Sequence, residues 1–305
     1  MGPYFDLQVN GYAGVDFNCD DLPADRLHHA CELLARDGVE KILATIITAD
    51  VETMCRRLAT LVTLRSRDPL AASMIAGLHI EGPFLNPKRG FIGAHASTAV
   101  QPASVEAIDR LFEAGDGLVR LLTLAPECDP GFAGTRHLSR QGVCVSAGHT
   151  DASLDTLKGA ADAGLSMFTH LGNGCPMSGM DRHDNIVQRA LFLRDRLWLC
   201  FIADGTHVPY MALANYVALA GVDRCCVVSD AMAAAGFGPG RYRLGTWDVE
   251  VGDDGAAWAP DRTHLVGSAC PLHRAETQLR QMLGLDANTC RKLFYDNPLR
   301  AITPA

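Results

Sequence analysis

The run Met74-Ile75-Ala76-Gly77-Leu78-His79-Ile80-Glu81-Gly82-Pro83 decides how the chain is read. A short apolar stretch stops on a carboxylate able to bind metal, and a Gly-Pro pair then bends the chain away. Two further runs end in the same way, Val143-Cys144-Val145-Ser146-Ala147-Gly148-His149 and Met167-Phe168-Thr169-His170. A fourth, Cys225-Cys226-Val227-Val228-Ser229, stops on Asp230. Polar residues that recur where separate strands finish belong to a fold that gathers strand ends at one place.

Working outward, strands are expected at 5–10, 41–47, 74–80, 119–124, 143–147, 167–170, 197–203 and 225–229. Amphipathic helical patterns fall between them at 24–37, 51–65, 104–114, 153–163, 186–193 and 209–220. Ser153 and Pro209 suit helix starts, and Gly38, Gly164 and Gly221 suit helix ends. Eight strands alternating with helices predict an α/β fold, a (β/α)8 TIM-type barrel of the metal-dependent hydrolase kind. A doubly wound sheet is the competitor. No GxGxxG follows the first strand, and the polar residues follow many strands rather than one switch point, so the barrel is preferred. Residues 241–266 interrupt the rhythm and read as a β-hairpin excursion with an Asp254-Gly255 turn. Helical patterns at 271–283 and 287–294 close the chain, and residues 1–305 are expected to form a single barrel domain.

Composition narrows the function classes. The chain has 305 residues, 48% apolar and 20% charged, as in ordinary globular proteins. Its 27 basic and 35 acidic side chains leave a net charge of -8, which argues against a general nucleic-acid surface. No run approaches the roughly 18 apolar residues of a membrane span. The N-terminal Met1-Gly2-Pro3-Tyr4-Phe5-Asp6 lacks the basic and apolar regions of a signal peptide. The eleven cysteines are scattered, with no CxxC pair. Reduced, buried thiols in a cytoplasmic protein are expected, rather than a disulfide framework or a cysteine-ligated zinc.

Glu81, His149 and His170 offer one oxygen and two nitrogen ligands. That set suits one divalent metal ion of the zinc class, with a position left open for water; iron, manganese and cobalt accept the same donors. One strand-end histidine alone would more often be structural. It is the combination that points to a metal. Asp230 suits a general base toward water and then a general acid toward a departing nitrogen, although Asp is also a common helix cap. His95, Asn173, Arg182 and His207 lie in loops after the strands and could orient a hydroxylated or phosphorylated substrate. Gln8 and Asn10 leave the first strand toward the same mouth, where they could hold water or substrate. No lysine or carboxylate pair stands at strand ends as a metal-free barrel isomerase or aldolase would require.

With these pieces in place, the chain resembles the N-acetylglucosamine-6-phosphate deacetylase family of the amidohydrolase superfamily. The matching segments are Asp6-Leu7-Gln8-Val9-Asn10-Gly11, His79-Ile80-Glu81-Gly82-Pro83-Phe84, Gly93-Ala94-His95, Gly148-His149-Thr150, Thr169-His170-Leu171, Ala203-Asp204-Gly205-Thr206-His207-Val208, Ser229-Asp230-Ala231-Met232 and Leu265-Val266-Gly267-Ser268. They run in family order from residue 6 to about residue 300. The resemblance implies hydrolysis of the N-acetyl group of an amino-sugar phosphate, with Glu81, His149 and His170 as metal ligands and Asp230 as the catalytic aspartate. It places Ala94, His95, Asn173, Gly174, Asp204, Gly205, Thr206, His207, Leu265, Val266 and Gly267 on substrate-contact segments, with His207 polarising the acyl oxygen. Arg182 is its nearest candidate for a phosphate-binding arginine that reaches in from a neighbouring subunit, which implies a homodimer. Gln8 stands where some members carry a histidine of a His-x-His pair, and this favours one metal over two.

The chain departs from the family pattern in three places. Gly172-Asn173-Gly174-Cys175-Pro176 replaces the usual Phe/Tyr-Asn-Ala-Met-Pro. The loop from Ser178 to Asn185 lacks the usual Arg-Glu-Pro-Gly, so Arg182 is displaced by about one position. There is little or no sequence for a flanking β-sandwich. Two alternatives stay open: an amidohydrolase acting on a different N-acyl or cyclic amide, and a non-catalytic sugar-phosphate binding barrel.

Overall fold

The computed structural model describes residues 2–303. Eight strands follow one another in chain order around a single sheet. They are β1 Tyr4–Val9, β2 Val39–Ile47, β3 Ile75–Glu81, β4 Val119–Leu124, β5 Cys144–Ala147, β6 Leu165–Phe168, β7 Trp198–Ile202 and β8 Cys225–Val228. Every neighbouring pair along this order is parallel. The expected strand boundaries hold to within two residues, and the alternation of strand and helix is that of a (β/α)8 barrel.

Local chemistry places the helices. Asp50, Ser104, Ser153 and Asn185 each accept a backbone N–H three residues on, from Thr53, Ala107, Thr156 and Gln188, as helix N-caps do. Three helices, Pro69–Met74, Ala133–Arg140 and Asn297–Ile302, were not expected. The second begins after Phe132 in a left-handed conformation, with no cap of its own. Its first turn is held instead by Asp129, whose two oxygens accept the N–H groups of Gly134 and Thr135 at 2.9 and 2.8 Å. The start signal therefore lies upstream of the helix, beyond the usual capping position.

The barrel interior is layered, because alternate residues of each strand point inward. The lower layer is apolar or thiol: Phe5, Leu7, Leu43, Leu121, Cys144, Met167, Trp198, Cys200, Cys226 and Val228 pack together with Ala301 from the C-terminal helix. Two residues further up the strands the layer turns polar. The His79 imidazole lies 2.8 Å from the Thr123 hydroxyl, which lies 2.7 Å from Thr169, itself 2.6 Å from Ser146. Burial pushes the His79 pKa down to about 4, so this ring is a neutral member of a hydroxyl chain. One more step upward are Glu81, His149 and His170. The layers thus pass from apolar side chains to hydroxyls to a carboxylate and two imidazoles.

The barrel closes between β1 and β8 with little ladder. A single bridge pairs Val9 with Ala231. Beside it the Asp6 side chain accepts the Ser229 N–H at 3.1 Å and the Ser229 hydroxyl at 2.5 Å. The 241–266 excursion forms a three-stranded antiparallel sheet: β9 Gly240–Leu244, β10 Trp247–Val251 and β11 Ala257–Trp258. The Asp254-Gly255 turn joins the last two of these, and a tighter, unforeseen turn at Gly245-Thr246 joins the first two. The chain then returns to the barrel mouth, where the Ser268 N–H donates to the Asp230 carbonyl at 2.8 Å. No helix among the described residues is long and apolar enough to cross a membrane.

Candidate metal centre and its cavity

Three residues expected at the site share an uncommon backbone state. His149, His170 and Asp230 have φ of 51°, 33° and 51°. A non-glycine residue held there costs about 1–3 kcal/mol and persists only where its surroundings over-determine it. They do so here. The Asn86 N–H donates to the His149 carbonyl at 3.0 Å, the Asn173 N–H to the His170 carbonyl at 2.9 Å, and Ser268 holds the Asp230 carbonyl. The turned backbone throws each side chain back over the barrel axis.

There they converge on Glu81, which is buried. Its carboxylate lies 2.9 Å from His170 Nε2 and 3.3 Å from His149 Nε2, and accepts the Gln8 amide at 3.1 Å. Burial opposes the Glu81 charge, but the imidazoles of His149 and His170 outweigh it and hold the carboxyl well below its usual range. Gly82, with φ of 84°, follows at once; a Cβ there would lie 2.0 Å from Thr48 Oγ1, which donates to the Glu81 carbonyl at 3.0 Å. Only glycine leaves that hydroxyl its place.

His95 also enters this cluster. Donor atoms of Glu81, His95 and His149 all lie within 4.8 Å of one another. Tautomers separate the two histidines. His149 Nδ1 lies 2.7 Å from the Phe91 carbonyl, an acceptor only, so Nδ1 carries a proton and Nε2 is the nitrogen turned toward Glu81 and His95. His95 Nδ1 instead accepts the Thr48 backbone N–H at 3.3 Å. Burial pushes the His95 pKa down to about 3, leaving a neutral ring whose one N–H is on Nε2. That N–H points at His149 Nε2, 3.1 Å away. The geometry thus leaves His149 Nε2 available to a cation and gives His95 an N–H beside it, although both rings stand within reach of Glu81. Carboxylate oxygen and imidazole nitrogen facing one another in a buried pocket fit a divalent cation.

Asp230 stands across the mouth. Its Oδ1 accepts the Asn10 amide at 2.7 Å. Burial, with the Glu81 charge adding to it, pushes the Asp230 carboxyl upward against His170, His207 and Asn10. Asp204 does not line the cavity but organises its edge. It accepts the backbone N–H groups of Thr206 and His207, the Ser268 hydroxyl at 2.9 Å, and His207 Nδ1 at 2.7 Å. Its charge is opposed by burial, yet His207 and these N–H groups hold the carboxyl well below its usual range.

These groups line a cavity of about 460 Å³, the size of a small-molecule site. Ala94, His95, Asn173, Gly174, Thr206, His207, Leu265 and Gly267 all reach its wall. Gln8 sits behind Glu81, Gly205 packs against Tyr210, and Val266 is buried in the hairpin cluster. Gly174, where the family has alanine, lies against His149: at φ of 60°, a Cβ would come within 2.9 Å of Nδ1. Arg182 is exposed and absent from the wall; among the described residues lining the cavity there is no lysine or arginine.

One holding residue escaped the sequence reading. Glu127, just after β4, accepts the Asn86 amide and the Asp151 N–H, each at 2.7 Å, and the Thr150 hydroxyl. It thereby ties the loop carrying His149 to the loop after Glu81. A carboxylate three residues past a strand end was the signal available.

No family model matches the chain. An N-acetylglucosamine-6-phosphate deacetylase of Bacillus subtilis is 30% identical over 304 residues, covering 97% of this chain and 74% of that protein. An N-acetylgalactosamine-6-phosphate deacetylase of Escherichia coli O157:H7 is 31% identical over 282 residues, covering 92% of this chain and 72% of the relative. The chain belongs to the N-acetylglucosamine-6-phosphate deacetylase family. As a member it is a hydrolytic enzyme of the amidohydrolase kind. The fold agrees: the Mycobacterium smegmatis deacetylase, solved with N-acetyl-D-glucosamine-6-phosphate, superposes with a TM-score of 0.87 at 29% identity, covering 98% of this chain and 77% of that one.

Proposed function

We propose that this barrel removes the acetyl group of N-acetylglucosamine 6-phosphate, giving acetate and the amino-sugar phosphate. The observation carrying the reading is the pairing of the Glu81–His149–His170 cluster with Asp230 across one cavity. In this reading those three side chains hold one divalent cation, zinc by preference, with iron, manganese or cobalt compatible. Such a cation supplies a Lewis acid and brings the pKa of a water at the site from about 15.7 toward about 7.

The chain's own groups do the rest. Asp230 takes the proton that water gives up as its oxygen attacks the acetamide carbonyl carbon. It then returns that proton to the nitrogen as the C–N bond breaks. Asn10 aims the carboxylate. His207, whose Nδ1–H is fixed on Asp204, donates from Nε2 to the acyl oxygen as the imidazolium, the form the Asp204 carboxylate favours, where negative charge develops. Once the His149 lone pair is engaged, the His95 N–H is free to turn to a substrate oxygen. Asn173, Gly174, Thr206, Leu265 and Gly267 shape the sugar pocket, and Gln8 steadies Glu81.

We further propose a homodimer in which Arg182 of the partner subunit meets the phosphate. A cavity wall without a cation of its own supports this, and exposed apolar side chains on the following elements are compatible with it. Met177, in the loop after β6, and Phe192, Met211 and Leu219, on the next two helices, are exposed by 77, 62, 77 and 52%. Unpaired cysteines fit a reducing, cytoplasmic setting.

The relative named for the galacto sugar favours one second reading, the epimeric N-acetylgalactosamine 6-phosphate. Acetate release from both 6-phosphates and from unphosphorylated N-acetylglucosamine separates them. The gluco 6-phosphate is expected to react best, and loss of the phosphate to lower kcat/KM roughly 100-fold. Equal rates with and without phosphate, or no acetate at all, would refute the proposal.

A further inference from the structure

Asp6 is a buried carboxylate for which the reaction above has no use. It is 2% exposed, and among the described residues no cation pairs with it. Burial pushes its carboxyl up to about 7 against the hydrogen bonds it accepts. Burying such a group without a counter-charge is costly, and an apolar side chain would close the barrel seam at less expense. The partners of Asp6 show where that cost is directed. Oδ1 accepts the N–H groups of Ser229 at 3.1 Å and Gln8 at 3.3 Å, and Oδ2 accepts the Ser229 hydroxyl. The same hydroxyl oxygen then accepts the Ala231 N–H at 2.9 Å. Asp6 and Ser229 together therefore span Asp230, gripping the residue before it and the residue after it.

Asp230 needs such a grip. Its φ of 51° is a strained state, and its carboxylate must face both water and the departing nitrogen. We propose that Asp6 is a positioning residue for the reaction, holding Asp230 in its left-handed conformation through the Ser229 hydroxyl. This rests on Asp230 being the proton carrier. The proposed effect is on turnover rather than substrate binding, since neither Asp6 nor Ser229 lines the cavity.

The test uses Asp6→Asn, Ser229→Ala, Ser229→Thr and the Asp6→Asn/Ser229→Ala double variant, all metal-loaded, with melting temperature and metal content measured on each. Asp6→Asn and Ser229→Ala are expected to lose kcat, about 10- to 100-fold, with KM within a few-fold of wild type. Ser229→Thr, which keeps the hydroxyl, should recover most of it. The double variant should fall no further than the worse single one, because both act through one hydroxyl. Wild-type kcat in both single variants would overturn the proposal. So would losses that multiply in the double variant, or that merely track metal content or folded fraction. Should Ser229→Ala and Asp6→Asn leave kcat unchanged while Asp230→Asn abolishes it, this inference fails and the functional reading survives. If Asp230→Asn itself turns over normally, the reading fails first.

Discussion

An Asp230→Asn protein carrying its full metal content is expected to release acetate about 10²–10⁴-fold more slowly than wild type, the range over which positioned acid–base groups act. The substitution is nearly isosteric, and Asn10 can still bond the new side chain by presenting its amide oxygen in place of the N–H it now donates to Oδ1. Folding and metal binding should therefore survive, and KM should change little. The loss belongs to kcat because the carboxylate's task is to carry a proton between two bonds. A protein that keeps wild-type turnover with metal bound would remove Asp230 from the chemistry.

Replacing the carboxylate at the centre of the cluster acts earlier. Glu81→Gln keeps shape, and its amide can still bond Gln8, but it removes the charge on which His149 and His170 converge. A metal supplies several kcal/mol of transition-state stabilisation, and about 4 kcal/mol is roughly 10³ in rate. Glu81→Gln protein is expected to purify with little metal and to lose turnover by at least that factor. Elemental analysis beside an acetate assay checks both. Stoichiometric metal with normal turnover would mean the cation sits elsewhere.

Much of this was legible in sequence for one reason: a barrel strand that ends on a ligand writes the ligand next to its own apolar run. Glu81, His149, His170 and Asp230 follow such runs directly, so local pattern sufficed. What stayed hidden depends on partners distant in sequence. His95 turns its Nε2–H toward His149 because its Nδ1 accepts a backbone N–H from Thr48, 47 residues away. Asp6 reads as one more polar residue on β1 until Ser229 lies beside it across the seam, 223 residues later. Glu127 reads as a loop acid until Asn86 and Asp151 meet on it. The helix after Asp129 was missed because its start is held from outside the capping position. Arg182 is a case of the opposite kind. Its motif suggested phosphate, yet its side chain is away from its own cavity, which a neighbouring subunit would explain.

The most direct test of the central claim is a crystal structure of metal-loaded Asp230→Asn protein soaked with N-acetylglucosamine 6-phosphate. The site described here predicts a single cation peak held by Glu81, His149 and His170. The acetamide oxygen should lie between that cation and His207, with the phosphate against Arg182 of the partner subunit. A cation held by His95 in place of His170, two cations at the mouth, or a sugar bound with its acetamide turned away from Asp230 would contradict it.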